Sequence, residues 1–269
     1  MKLALSQIST PTTPFAEAVE AYRAAGFEGI GLWEFALGGD DAADRATLAA
    51  AGLGVANCVP LVPTILPNPV MEGPDDPDER IAAICSSVER FGAFEPSSVL
   101  CLTGPVGTFG EAEARRIVVE GLRAIAATAE RAGVRFGLEP IHTSQRAEFS
   151  FVHTIPEALE LLDEAGLDEV GVMVDTFHLA DTAGVLSDLE RHVDRVTGLH
   201  VADHPADGSD GRVLPGHGVT RTAEVVRALA AAGWDGWLDV EIFSTPDGFW
   251  ALPADEAARL AHAAAANLT

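Results

Sequence analysis

Four short segments of this chain share a form: an apolar run that closes on a side chain able to hold a metal ion. They are "GLEP" with Glu139, "VMVDTFH" with Asp175, "GLHVAD" with His200 and "DVEIF" with Glu241. The apolar residues read as strands crossing a core, so each ionisable group sits where its strand must emerge. A carboxylate buried without a partner is costly, so something of opposite charge should wait there. Three carboxylates and one imidazole, with room for water, suit Mn²⁺, Mg²⁺ or Co²⁺ better than a structural zinc closed by Cys and His. Each residue alone has an ordinary alternative, because a terminal Asp often caps a helix and a lone strand His is usually a satisfied core residue. Four at equivalent positions make the stronger pattern. His178, three residues past Asp175, falls on the loop beside the same point, where it could touch a substrate oxygen.

The elements that would bring these ends together follow from a repeated punctuation. "AGF" (25–27), "AGL" (ending at 53), "AGV" (132–134), "AGL" (165–167) and "AGW" (232–234) each follow an Ala-rich stretch of helical character. A glycine just past a helix end is the usual left-handed cap. Strands are expected at 3–9, 29–34, 55–61, 98–104, 134–140, 170–175, 196–203 and 237–243. Between them lie helices, such as 111–131, where Val118, Leu122, Ile125 and Ala129 share one face. Another starts at Pro156, in the favoured first turn, and the last lies near 254–266. Strand–helix alternation of this length predicts a closed (β/α)8 TIM barrel, with its active site at the C-terminal strand ends. A doubly wound open sheet is the structural alternative, but no GxGxxG follows the first strand. No linker divides the chain, so a single domain over 1–269 is expected. The Pro-rich stretch 62–79 is too long for a plain βα turn and is expected to form a lid over the barrel mouth.

Composition narrows the function. The formal charge is −24, and without a Lys/Arg cluster nucleic acid is an unsuitable partner. Lys2 is the only lysine, which removes Schiff-base chemistry at a deep site. Three scattered cysteines make neither a disulfide framework nor a Cys-type zinc site. With no run long enough to span a membrane and no signal-peptide pattern, a cytoplasmic protein is expected.

The motifs "LEP", "VDTFH", "HVAD", "GRVLPGHG" and "VEIF" make the chain resemble the xylose isomerase-like TIM-barrel superfamily, specifically its sugar phosphate isomerase/epimerase branch. That branch holds ketose 3-epimerases, hydroxypyruvate isomerase and inosose dehydratase. The resemblance implies one divalent metal, Mn²⁺ first and Mg²⁺, Co²⁺ or Zn²⁺ otherwise, on Glu139, Asp175, His200 and Glu241. It implies that Glu139 and Glu241 also act as acid and base on opposite faces of the substrate. His178 matches a substrate-contacting histidine, and Arg212 an arginine holding a substrate oxygen. His217 in "PGHGV" could supplement Arg212 or be an exposed turn residue. His142 and Arg146 could line the site from the loop after Glu139, and Trp33 could stack on a sugar ring or belong to the rim.

The chemistry so implied is proton removal next to a carbonyl, through an enediolate, on an unphosphorylated sugar or keto-polyol. Return of the proton to the same carbon gives an epimerase, and to the neighbouring carbon an isomerase. Loss of a β-substituent gives a dehydratase or lyase. A sugar-binding protein without turnover is the alternative from another class. The superfamily's zinc endonucleases are a poor match, since no histidine precedes His142. A small-molecule substrate, and a homo-oligomer as an option, complete the expected partners.

Overall fold

The computed structural model describes residues 1–268 apart from Asp210. Eight parallel strands pair in sequence order and close into a barrel, β1 returning to pair with β8. They are β1 (Lys2–Ser6), β2 (Gly29–Trp33), β3 (Gly54–Val59), β4 (Ser98–Cys101), β5 (Phe136–Leu138), β6 (Gly171–Asp175), β7 (Val196–Val201) and β8 (Trp237–Val240). The helices between them are α1 (Phe15–Ala25), α2 (Asp41–Ala51), α3 (Pro77–Gly92), α4 (Glu111–Ala132) and α5 (Ile155–Glu164). After β6 come a one-turn α6 (Thr176–Leu179) and α7 (Val185–Arg191), then α8 (Thr222–Ala231) and α9 (Ala254–Ala266). The expected TIM barrel is the observed fold.

The main core lies between the barrel and its helices. Val118, Leu122, Ile125 and Ala129 of α4 are all buried in it, as their spacing predicts. Gly26, Gly52, Gly133, Gly166 and Gly233, the five glycines of the repeated punctuation, all adopt positive φ, the conformation in which a Cβ is penalised. On α5, Thr154 accepts a hydrogen bond from Glu157 N and a proline occupies the first turn. The helix that sequence periodicity does not suggest is α6, whose single turn is capped by Asp175 itself.

At the N-terminal end of the barrel a tryptophan packs against two glycines. The Trp237 indole lies over Gly29 and Gly54, where any Cβ would collide with it, and Lys2 Nζ sits 4.9 Å from the same ring. The only lysine is therefore at the end opposite the candidate site. Of the 62–79 segment, Val62 and Thr64–Leu66 are buried. Ile65 N donates to Leu102 O and Leu66 N to Thr103 O. Arg80 pins the segment from below by donating to Thr64 O and Pro74 O, both at 2.8 Å. The stretch beyond Leu66 carries Val70 and Met71 across the mouth. No described helix is long and apolar enough to cross a membrane.

Candidate active site

Strand register assembles the charged residues. Asp175 of β6 pairs with His200 of β7, and His200 pairs with Asp239 of β8. Glu139 directly follows β5, and Glu241 directly follows β8. All are buried, at 5% exposure or less. Glu139, Asp175 and His200 each present one ligand atom, all within 4.8 Å of one another. His200 Nδ1 lies 3.7 Å from Glu139 Oε1 and 3.6 Å from Glu241 Oε2. Four strand ends thus converge as their positions predict.

A guanidinium occupies the opposite side of this cluster. Arg212 Nη1 donates to Asp175 Oδ2 at 2.7 Å and to Glu241 Oε2 at 2.9 Å, while its head lies over the rings of Phe177 and Phe243. The long loop after β7 delivers it. Asp203 and Val213 form an antiparallel bridge, and the Asp203 carboxylate accepts from Gly216 N, Gly218 N and the hydroxyls of Thr220 and Thr222. Arg212 N then donates to Phe243 O at 2.8 Å. His178, on α6, is buried with Nε2 3.4 Å from Arg212 Nη2.

The electrostatics of the cluster are those of an acidic pocket short of positive charge. Burial, with Asp175 and Glu241 nearby, pushes the Glu139 carboxyl up to about 7 against the pull of His200. Burial would lower His200, but the carboxylates of Glu241, Glu139 and Asp239 prevail and lift it to about 10. Burial opposes ionisation of Asp175 too, yet the Arg212 charge holds its pKa below the usual range. His178 has no such surplus of acids and burial takes it down to about 3, so it is neutral. Glu139 Oε1 and His200 Nδ1 face the centre with no hydrogen-bond partner. Orphaned buried ligand atoms beside excess carboxylate are what a divalent cation would satisfy, and the donor set fits one.

The cavity above the cluster measures ≈ 410 Å³. Of the expected substrate-binding residues, Trp33, His178 and Arg212 line it. His142 does not: its Nδ1 accepts from Ser144 N and caps the turn Thr143–Gln145. Arg146 is exposed. His217 is also exposed, on the turn closed by Leu214 O, because Asp203 folds that loop back along the barrel rim. Sequence reasoning missed Gln145, Phe149 and Phe243 in the lining, and Asp239 beneath it. Asp239 shares the inward face of β8 with Glu241 by simple alternation, so the signal was present. Asn57 Nδ2 donates to its Oδ2 at 3.1 Å, and Gly31 leaves room for it. Burial pushes Asp239 up to about 7.

Comparison with known proteins places this geometry. A family model described as xylose isomerase-like TIM barrel matches residues 19–266. An inosose isomerase of Halalkalibacterium halodurans is 30% identical over 157 residues, covering 56% of this chain and 54% of its own length. A D-psicose 3-epimerase of Enterocloster bolteae is 32% identical over 135 residues, 50% of this chain and 42% of its own. The chain spans about half the length of these curated relatives. A crystal structure of a Sinorhizobium meliloti protein superposes with a TM-score of 0.87 at 26% identity, over 99% of this chain and 98% of that one. The IolI protein, crystallised with a zinc atom, shares the fold at a TM-score of 0.80 and 20% identity, over 100% of this chain and 98% of that one.

Proposed function

The chain belongs to the xylose isomerase-like TIM-barrel family, and we propose that it is a divalent-metal-dependent isomerase or epimerase of a hydroxyketone, acting by proton removal next to the carbonyl. The observation that carries this reading is the paired glutamates, Glu139 and Glu241, each within 3.7 Å of the same imidazole nitrogen at the floor of one cavity. The curated relatives named as isomerase and epimerase support it.

Glu139, Asp175, His200 and Glu241 would hold the cation, Mn²⁺ by the donor set, although the IolI crystal held zinc. Held there, a divalent cation would supply Lewis acidity to a carbonyl and an adjacent hydroxyl, which would make the C–H between them more acidic. One glutamate takes that proton and the other, approaching from a different strand end, can return one. Arg212, fixed by two carboxylates and two rings, faces the oxygen on which negative charge develops. His178, neutral, can donate to or accept from a substrate hydroxyl. The same residues would serve elimination when a β-substituent is present. A 3-dehydroshikimate dehydratase of Pseudomonas putida, 25% identical over 88% of this chain and 37% of its own length, keeps that second reading in view.

The test is deuterium uptake from solvent, followed by NMR over a panel of hydroxyketones with Mn²⁺ present. A substrate is expected to gain deuterium at the carbon beside its carbonyl. Absence of uptake across hydroxyacetone, ketoses, keto-inositols and hydroxyketones with hydrocarbon tails would overturn the proposal.

A further inference from the structure

The cavity has two unlike halves. All its charge lies on one side, with Glu139, Glu241, His178 and Arg212. The apolar lining groups Val59, Leu100, Leu102, Ile141 and Phe149, while Phe243 lies under the Arg212 guanidinium at the border between the two. Several of these belong to a second apolar cluster, separate from the main core and set in the barrel mouth. Its polar atoms are already committed. Trp33 Nε1 donates to Ser6 Oγ at 2.9 Å, and Trp250 Nε1 to Ile242 O at 2.9 Å. Gln7, behind Trp33, accepts from Trp33 N and donates to Ala36 O. Among the described residues, Gln145 is the one lining side chain outside the charged half that has polar atoms and no hydrogen bond. No basic group other than Arg212 lines the cavity, and Arg212 is held by two carboxylates.

A ketohexose carries a hydroxyl on every carbon but the carbonyl. The charged half can serve the carbonyl and its neighbours. The remaining hydroxyls would be pressed against leucine, isoleucine and phenylalanine with no partner but Gln145, and buried unsatisfied hydroxyls oppose binding. A phosphate at the distal end would fare worse. We propose that the substrate is an unphosphorylated hydroxyketone whose distal half is hydrocarbon, the head bound at the charged corner and the hydrocarbon against the Leu100–Leu102–Phe149 wall. This rests on the hydroxyketone chemistry proposed above.

Three probes share a hydroxymethyl ketone head and differ in the tail: hydroxyacetone, D-fructose and benzyl hydroxymethyl ketone. Their affinities for the Mn²⁺-loaded protein would be measured by calorimetry, that of D-fructose referred to its open-chain keto form. The benzyl compound is expected to bind about tenfold or more tightly than either of the others, the worth of burying a small hydrocarbon group. Phe149→Gln, on a half-buried loop, is expected to shrink that difference. D-fructose binding as tightly as the benzyl compound, or more tightly, would overturn the inference. Deuterium uptake by the same probes separates the two proposals. Tail preference without uptake by any probe removes the proton-abstraction chemistry and leaves the apolar substrate, whereas uptake with D-fructose preferred does the reverse.

Discussion

The two halves of the barrel mouth are in opposite states of completion. In the charged half, Glu139 Oε1, His178 Nδ1 and His200 Nδ1 are buried without partners, and a single guanidinium serves two carboxylates. In the apolar half both indole N–H groups are satisfied by the protein. A folded chain keeps unsatisfied buried polar atoms where something else is to complete them. On the proposed reading, the charged half would be completed by a cation and a substrate oxygen, and the apolar half by hydrocarbon. The proposal thus assigns chemistry to one wall and selection to the other.

The sharpest break in that comparison comes from the charged half alone. Glu139→Gln and Glu241→Gln keep an oxygen toward the cluster and remove the base. Each is expected to lower deuterium exchange by about 10²–10⁴-fold, the usual worth of general acid–base catalysis, while affinity for the benzyl probe's tail is retained. Wild-type exchange in both variants, with metal bound, would make His178 the leading base.

The two halves also differed in how far the sequence could be read. Glu139, Asp175, His200 and Glu241 could be read because strand ends are where period-2 patterns stop, and a charge there stands out. Asp239 obeyed the same alternation but sat inside the strand, where Glu241 two residues on drew the attention. The apolar wall was illegible in principle. Leu100 and Leu102 look like any core leucine, and Phe149 comes from a connection with no periodicity. Loop histidines fared worst. His142 and His217 were placed by turn contacts with Ser144 and Asp203's loop rather than by the strands. Arg212 enters the mouth only because the Asp203–Val213 bridge turns its loop inward.

A second, smaller effect concerns charge balance in the metal-free protein. His200 is raised from 6.5 to about 10, so its protonation stabilises the fold fully below its unfolded value and is lost as pH rises toward 10. The raised carboxyls of Glu139 and Asp239, at about 7, have already lost their contribution by neutrality. Metal-free protein should therefore melt lower at about pH 9.5 than at about pH 7, by several degrees at roughly 2–4 °C per kcal/mol. Mn²⁺ at about 100 times its Kd should add about 2.7 kcal/mol and flatten this decline, because a cation replaces the proton's charge. Elemental analysis of protein purified without added metal should find close to one equivalent. No metal, no thermal shift and no decline with pH would remove the cation site altogether, leaving the apolar half untouched.

The smallest expected effect lies where the two halves meet solvent. The segment 62–79 is two segments physically: Thr64–Leu66 are buried and paired to the chain after β4, and Arg80 holds the far end. Between these anchors Val70 is 59% exposed although it lines the cavity. An apolar side chain over a mouth, with firm anchors on both sides, has a reason to close down once a hydrocarbon tail gives it a surface to cover. We propose closure of this stretch as a lid. Limited proteolysis of the metal-loaded protein should cut between Leu66 and Asp76, and the benzyl probe should slow that cleavage a few-fold, more than hydroxyacetone does. Hydroxyacetone protecting equally well would assign closure to the charged half, through the cation and its ligands. Protection by neither probe would leave the segment a fixed rim.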